Sequence, residues 1–527
     1  MKRNKTQIFT QEQLNNYSRD ELVETVMMLQ NDLVASEEKL AILQERMFGR
    51  KTEVVTEYPE AQLSMVFNDA EAYKEVKPDV EEPTEEEAIT YTIRKRTGKR
   101  DEDLKNLPTE VIEHNLSEEE LNAAFKGEKY TRLPDEIYRK LRFTPAQYIV
   151  EEHHIATYKC PKTNEFVRAE RPVDVIQNSI ATPSLVASIM NGKYTQGLPL
   201  YRMEQELERS DIHISRQNMA HWIIKCSEMY LSIVYDRMHE IMCKQRVLQA
   251  DETPCLVSKD GRNAGTKSYR WVYRTSERAQ IPPIILYDYE KTRSAQRPKD
   301  FLKDFNGTLM CDGFDAYPVL ERQKENLQIA NCYAHARRPF ADAIKALQKS
   351  GHERGATANK AISLIQKIYK AEENLKDLSP EERLERRRVE VAPHVEAYFA
   401  WVKKTIPQIA PQSAIGRGLA YSLSREKYLK RFLENGEIPL DNSASERSIR
   451  PFTIGRKNWI MIDTVFGADA SAVVYSLVET AKANNLNIYS YLEYLLTEIP
   501  KHDWEHDDTY INDLLPWSDK LPEFCKI

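Results

Sequence analysis

Apolar residues along this chain change their spacing twice. From Thr182 to Gln245 they recur at helical intervals. From Val247 they fall into short β-branched and aromatic runs, RVLQADETPCLV, YRWVYR, PPIILYDY, GTLMCDGF and LQIANCY, and from Ala336 to about Glu434 the helical spacing returns. Side chains alternate with a period of two in a strand and 3.6 in a helix, so the middle block reads as sheet between helical flanks. Turn signals such as KDGRNAG separate the runs, and PKDFLKDF, between the third and fourth, reads as helix. The first three runs follow one another through short connections and predict an antiparallel meander. The fourth and fifth are each preceded by a helical segment, so the sheet is expected to be mixed. DNSASERSIRPFTIGRKNW then opens a further helix, which makes the stretch of about a hundred helical residues before it an insertion into the sheet domain. The expected fold class is multidomain α/β.

Ahead of this block the apolar positions Leu22, Val26, Leu29, Leu33, Leu40, Leu43 and Met47 alternate in a 4,3 spacing, with Ser36 filling one gap. That seam predicts a coiled coil over 17–50 and a homo-oligomer formed through it; an amphipathic helix packed on its own chain is the alternative. A linker is expected over 51–103. Its first part, Glu53 to Thr90, has 12 Asp/Glu against two Lys and is broken by Pro59, Pro78 and Pro83, and IRKRTGKR from Ile93 to Arg100 then reverses the sign. Between about Leu104 and Val173 the pattern is ambiguous, with strands suggested near Tyr148–Glu151 and Ile155–Lys159. Over 180–245 the order is a helix to about Arg209, a turn over Ser210–Ile214, and a second helix capped by Ser215. This is either a plain helical hairpin or a helix-turn-helix, in which Arg216, Gln217 and Asn218 would face base edges.

A length of 527 residues suits three or four units, and 75 Lys+Arg against 82 Asp+Glu give 75 − 82 = −7. That balance argues weakly against a protein that merely coats nucleic acid, although a basic face is compatible with it. The start carries no apolar core behind its basic residues and no run reaches the roughly 20 apolar residues of a bilayer span, so a cytoplasmic, non-membrane protein is expected. Cys160, Cys226, Cys243, Cys255, Cys311, Cys332 and Cys525 are scattered and never form a CxxC pair, which suits reduced thiols.

Three acids stand where a sheet-based site places them. Asp251 follows the run Val247–Ala250 and precedes Thr253-Pro254, where the strand is expected to end. Asp312 closes Thr308–Cys311, and Glu446 lies one turn into a helix capped by Asn442 or Ser443. If the first and fourth strands are neighbours, Asp251 and Asp312 converge, and the helix can add Glu446. Three close carboxylates repel one another unless cations neutralise them, and all-oxygen ligands select Mg²⁺ or Mn²⁺, here two ions at a phosphodiester site. Glu252 points to the other face of its strand and Asp315 sits in a turn, so neither is counted with the three. His335, Arg337 and Arg338 follow the fifth strand, and Arg447, Arg450, Arg456 and Lys457 rim the Glu446 helix; both groups suit DNA phosphates. Arg425, Lys427, Lys430 and Arg431 make a similar face or a merely solvated one.

ADETP at Ala250–Pro254, CDGFDAY at Cys311–Tyr317, NCYAHARRPF at Asn331–Phe340 and NSASERSIRPFTIGRKNWI at Asn442–Ile460 resemble the motifs of DDE transposases of the insertion-sequence-66 type. The resemblance extends over most of the chain. It implies a ribonuclease-H-like catalytic domain over 246–480 with its helical insertion at about 336–434, followed by a C-terminal helical tail over 481–527. It also implies Asp251, Asp312 and Glu446 as a metal-binding catalytic triad for DNA cleavage and strand transfer. The implied partners are the element's terminal repeats and target DNA, with accessory proteins of the same element a further possibility. A structure-specific nuclease and a catalytically silent DNA-binding regulator are the rival readings. Members of this family usually carry a cysteine-rich zinc segment, but the matching region here, 104–175, retains only Cys160, so no zinc is expected.

Overall fold

The computed structural model describes residues 148–159, 166–263, 265–349, 356–502 and 509–527, with a few positions between 17 and 29. Most of the 17–50 coiled-coil segment, the acidic-to-basic linker and most of the 104–175 region, including Cys160, lie outside the described residues. Val66–Arg171 forms one unit and Met1–Met65 with Pro172–Ile527 the other. Of the first unit, Thr157–Lys159 (β1) and Phe166–Arg168 (β2) pair antiparallel. The second of the two suggested strands is therefore present, and Tyr148–Glu151 is not a strand.

In the larger unit Pro183–Tyr194 (α1), Leu200–Arg209 (α2), Arg216–Cys226 (α3) and Ser232–Cys243 (α4) lead into the sheet. Ser215 caps α3, its Oγ accepting from the Asn218 N–H at 3.2 Å, as its place after the turn predicts. The sheet strands are Val247–Lys259 (β3), Lys267–Thr275 (β4), Ile285–Glu290 (β5), Gly307–Cys311 (β6) and Leu327–Asn331 (β7), with Gln296–Phe301 (α5) and Ala316–Gln323 (α6) between the later ones. Their order is β5-β4-β3-β6-β7. The meander β3-β4-β5 is antiparallel, and β3-β6 and β6-β7 are parallel, so the sheet is mixed as the connection lengths require.

Consecutive strand residues feed two cores. Leu248, Leu309 and Ile329 join α1, α3, α4 and the later helices Val465–Ala483 and Ile488–Glu498 in one apolar cluster. Val247, Met310 and Ala330 join a second cluster on the other face, built with the insertion. The insertion itself comprises Tyr333–Lys349 (α7), Ala356–Glu373 (α8), Pro380–Arg386 (α9), Ala392–Thr405 (α10), Ala414–Ser424 (α11) and Glu426–Lys430 (α12). The chain returns to the sheet through Ser443–Trp459 (α13), and Ile462–Thr464 (β8) pairs with the far end of β3. All six described cysteines are free and buried, and no described helix is long and apolar enough to cross a membrane.

Pro254 does not end β3, which stays in register with β4 through Pro254 opposite Tyr269 as far as Leu256 and runs on to Lys259. The reason is which side the backbone faces. The Arg246 carbonyl points to β6, accepting from Thr308 at 2.8 Å, and alternate residues Ala250 and Pro254 face the same way. Pairing with β6 stops at Gln249, so the missing proline N–H falls on an open edge. Arg456 covers that edge, donating to the Pro254 carbonyl and, at 3.2 Å, to Thr253 Oγ1.

Candidate active site

The register of the two parallel strands brings the first two acids level. Gln249 pairs with Met310, an offset of 310 − 249 = 61, and 251 + 61 = 312, so Asp251 and Asp312 lie two residues beyond the last paired positions on neighbouring strands. Both share the parity of Gln249 and Met310 and face the insertion side. Beyond that pair the strands have no ladder between them, and Asn442 fills the gap. Its Nδ2 donates to the Ala250 carbonyl at 2.8 Å, and its Oδ1 accepts from Gln249 Nε2 at 3.2 Å. Asn442 thus pins the start of α13 to β3 beside Asp251, and Glu446 follows one turn later with its N–H on the Asn442 carbonyl. The side chain that the sequence offers as a helix cap makes no capping bond and spends itself on the sheet.

The three carboxylates share one electrostatic environment. Burial, with Glu252, Asp312 and Glu446 as neighbouring charges, holds the Asp251 carboxyl well above the ordinary aspartate range. Asp312 is shaped by a tight turn, its Oδ1 accepting from the Phe314 N–H at 2.9 Å, and Asn331 holds its carbonyl at 2.8 Å. A Cβ at Gly313 would stand 2.4–2.8 Å from the Tyr421 ring and hydroxyl, so only glycine fits under this residue of α11. Arg425 grips the same loop through the Gly313 carbonyl at 2.9 Å and the Asp315 carboxylate. The insertion therefore clamps the turn that presents Asp312.

Glu446 Oε1 is buried without a hydrogen-bond partner, with His335 Nδ1 at 3.7 Å and Arg338 Nη2 at 3.6 Å. Burial and the Arg338 charge push the His335 imidazole below its usual value, against the pull of Glu446. His335 and Arg338 thus join the acids, and Arg337 is half-buried on the same turn of α7. The other basic candidates divide. Arg447, itself exposed, is paired with Glu277, and Arg456 with the β3 backbone; Arg450 and Lys457 also lie exposed on α13. Arg216, Gln217 and Asn218 are exposed at the start of α3, where the Arg216 N–H donates to Glu204 at 3.0 Å and its guanidinium lies 5.4 Å from the Tyr201 ring centroid. Arg425, Lys427, Lys430 and Arg431 each pair with an acid: Asp315 for Arg425, Glu321 at 3.0 and 3.2 Å for Lys427 and Arg431, and Glu396 at 2.8 Å for Lys430. Those pairs tie the insertion together and to α6.

Two site residues escape a reading of the sequence. Glu252 does face away from Asp251, yet its side chain is 0% exposed and is held by Tyr317 Oη at 2.7 Å and by Arg293. Arg293 comes from the β5–α5 connection, which carries no motif that would have marked it. Among the described residues no three His, Cys, Asp or Glu side chains are gathered around one ion-sized point. The donor chemistry nevertheless fits a hard divalent cation, with three carboxylates, one raised by burial and by neighbouring acids, and one oxygen left without a partner.

Compared with known families, residues 178–470 match the model described as Transposase IS66 family, residues 476–517 the IS66 C-terminal element, and residues 36–112 Transposase C of IS166 homeodomain. The uncharacterized protein y4qI of Sinorhizobium fredii is 29% identical over 415 residues, 76% of this chain and 75% of its own. The uncharacterized protein y4jD of the same organism is 29% identical over 404 residues, 74% of this chain and 77% of its own. A mixed sheet with a helical insertion, two acids level on adjacent parallel strands, a third on the helix that Asn442 pins beside them and a family match spanning more than half of the chain lead to one conclusion: this protein belongs to the IS66 family of transposases.

Proposed function

We propose that this protein cuts DNA at the ends of a mobile element and joins the freed 3′-OH to target DNA, using a ribonuclease-H-like catalytic domain with Asp251, Asp312 and Glu446 as its acidic triad. The observation that carries this reading is the level placement of Asp251 and Asp312 on adjacent parallel strands, with Asn442 anchoring the Glu446 helix against the same strand edge. Asp251, Asp312 and Glu446 would hold Mg²⁺ or Mn²⁺, two ions in the expected arrangement, which when bound supply Lewis acidity to a phosphodiester. The protein's own part is positional. The turn clamped by Tyr421 and Arg425 holds Asp312 in place, and Arg338 keeps positive charge beside Glu446, with His335 as a neighbouring donor, where a DNA phosphate would approach. The exposed first turn of α3 offers Arg216, Gln217 and Asn218 to base edges, and Arg450 and Lys457 offer cations to the backbone. Pairing of protomers through 17–50 would hold two element ends together.

The test uses the full-length protein and DNA fragments bearing the sequence that flanks its gene, incubated with Mg²⁺, Mn²⁺ or a chelator. Cation-dependent nicks ending in a 3′-OH, followed by joined products, are expected. Cutting without joining would assign a nuclease instead, and cutting in chelator would remove the triad from the mechanism.

A further inference from the structure

We infer that Arg293 is a phosphate-holding residue of the cleft, with a DNA phosphodiester oxygen as its ligand; the inference rests on the DNA-cutting reading above. Arg293 lies between the end of β5 at Glu290 and the start of α5 at Gln296. One edge of its guanidinium is fixed, Nε donating to Glu252 Oε1 at 2.7 Å and Nη2 to the same oxygen. Glu252 is itself fixed, fully buried, with Tyr317 Oη on its other oxygen at 2.7 Å. The plane is fixed too, since the guanidinium carbon lies 3.7 Å from the Phe314 ring centroid.

The remaining edge is open. Nη2 stands 3.9 Å from Asp312 Oδ2, beyond hydrogen-bond reach, and Nη1 makes no hydrogen bond to a described residue. The Arg293 side chain is 37% exposed beside an acid of the cleft. An arginine placed only to neutralise Glu252 would turn its other donors to carbonyls, as Arg387 does in the insertion with Phe432, Asn435 and Ile438. A fork held on one edge and one face, with its second edge at the carboxylate rim, is preorganised for a phosphate. It also supplies positive charge where the acids would repel DNA.

Arg293→Ala alone strands the buried Glu252 charge and endangers folding. The decisive variant is therefore the double Glu252→Gln, Arg293→Ala, in which the amide retains a partner in Tyr317. Cleavage of element-end DNA by this variant is expected to fall roughly 100-fold in kcat/KM, as when one preorganised donor is lost. In chelator, where no cutting occurs, the slope of log affinity against log salt is expected to shrink by about 0.9, one counterion's worth. Arg293→Lys keeps the charge but loses the fork, so the slope is expected to stay while cleavage falls. A folded double variant with the wild-type slope and cleavage within about threefold of wild type would overturn the inference. If the wild-type protein binds but never cuts, the DNA-cutting reading falls, and the salt slope still decides whether Arg293 holds a phosphate.

Discussion

The insertion and the cleft both bury charge, and they treat it in opposite ways. In the insertion Arg387, fully buried, meets Glu372 through Nε at 3.0 Å and Nη2 at 2.5 Å, and gives its remaining donors to three carbonyls at 2.6–2.8 Å. Arg278 from the β4–β5 connection adds a second cation whose Nη1 lies 3.0 Å from Glu372 as an ion pair without a hydrogen bond, and Arg383 bonds four more carbonyls at 2.6–3.1 Å. At the acidic site burial and the neighbouring charges of Glu252, Asp312 and Glu446 raise the Asp251 carboxyl, and Glu446 Oε1 has no hydrogen bond. Satisfied buried charge specifies one packing. Unsatisfied buried charge, kept in place by the rest of the fold, is the arrangement expected of a binding site.

The sharpest way to break this comparison is to remove charge from each region by an isosteric swap. In the cleft, Asp251→Asn, Asp312→Asn and Glu446→Gln are each expected to lower strand cleavage at least about 10³-fold while leaving folding and DNA binding intact, measured by cleavage assay beside denaturation and mobility shift. Cleavage near the wild-type rate in any of the three would remove that residue from the triad. In the insertion, Glu372→Gln leaves Arg387 and Arg278 without their shared anion, and a loss of about 3–5 kcal/mol in urea denaturation is expected. A cost below about 1 kcal/mol would mean that the carbonyls alone satisfy the guanidinium.

The smallest expected effect concerns pH. Asp251 is held above its ordinary value, so from 3.8 up to the raised value the folded chain binds more protons at this group than the unfolded chain does. Stability from this group therefore falls as pH rises through that window and returns below 3.8, where both states are protonated. Asp251→Asn lacks that loss. At neutral pH without divalent cation it is expected to unfold on the order of a few degrees above wild type, with the gap closing towards acid. A gap that persists at low pH would trace the stabilisation to packing instead.

The two regions were also unequally legible. Asp251 and Asp312 could be picked out because the apolar runs before them end in an acid, and Glu446 because it opens a helix. The level placement of Asp251 and Asp312 depended on β3 and β6 being neighbours, and register supplied that. Pro254 misled because a local rule about proline assumes two neighbouring strands, while β3 has one at that point. Arg425, Lys427, Lys430 and Arg431 read as a basic face because most of their acids are remote in sequence: Asp315, Glu321 and Glu396 meet them only across elements, beside the local partners Glu426 of Lys430 and Glu434 of Arg431.

The order of residues was enough for the alternation that builds a mixed sheet, the place where helices interrupt it, and the three acids, two that follow apolar runs and one in the first turns of a helix. These follow from local periodicity and from what a strand or helix end does to the backbone. Packing was needed for everything that joins distant segments through a single side chain: Asn442 on the Ala250 carbonyl, Tyr421 over Gly313, and Arg293 on Glu252. Such contacts leave no period in the sequence, because each relies on the whole fold to bring two unrelated loops within about 3 Å of one another.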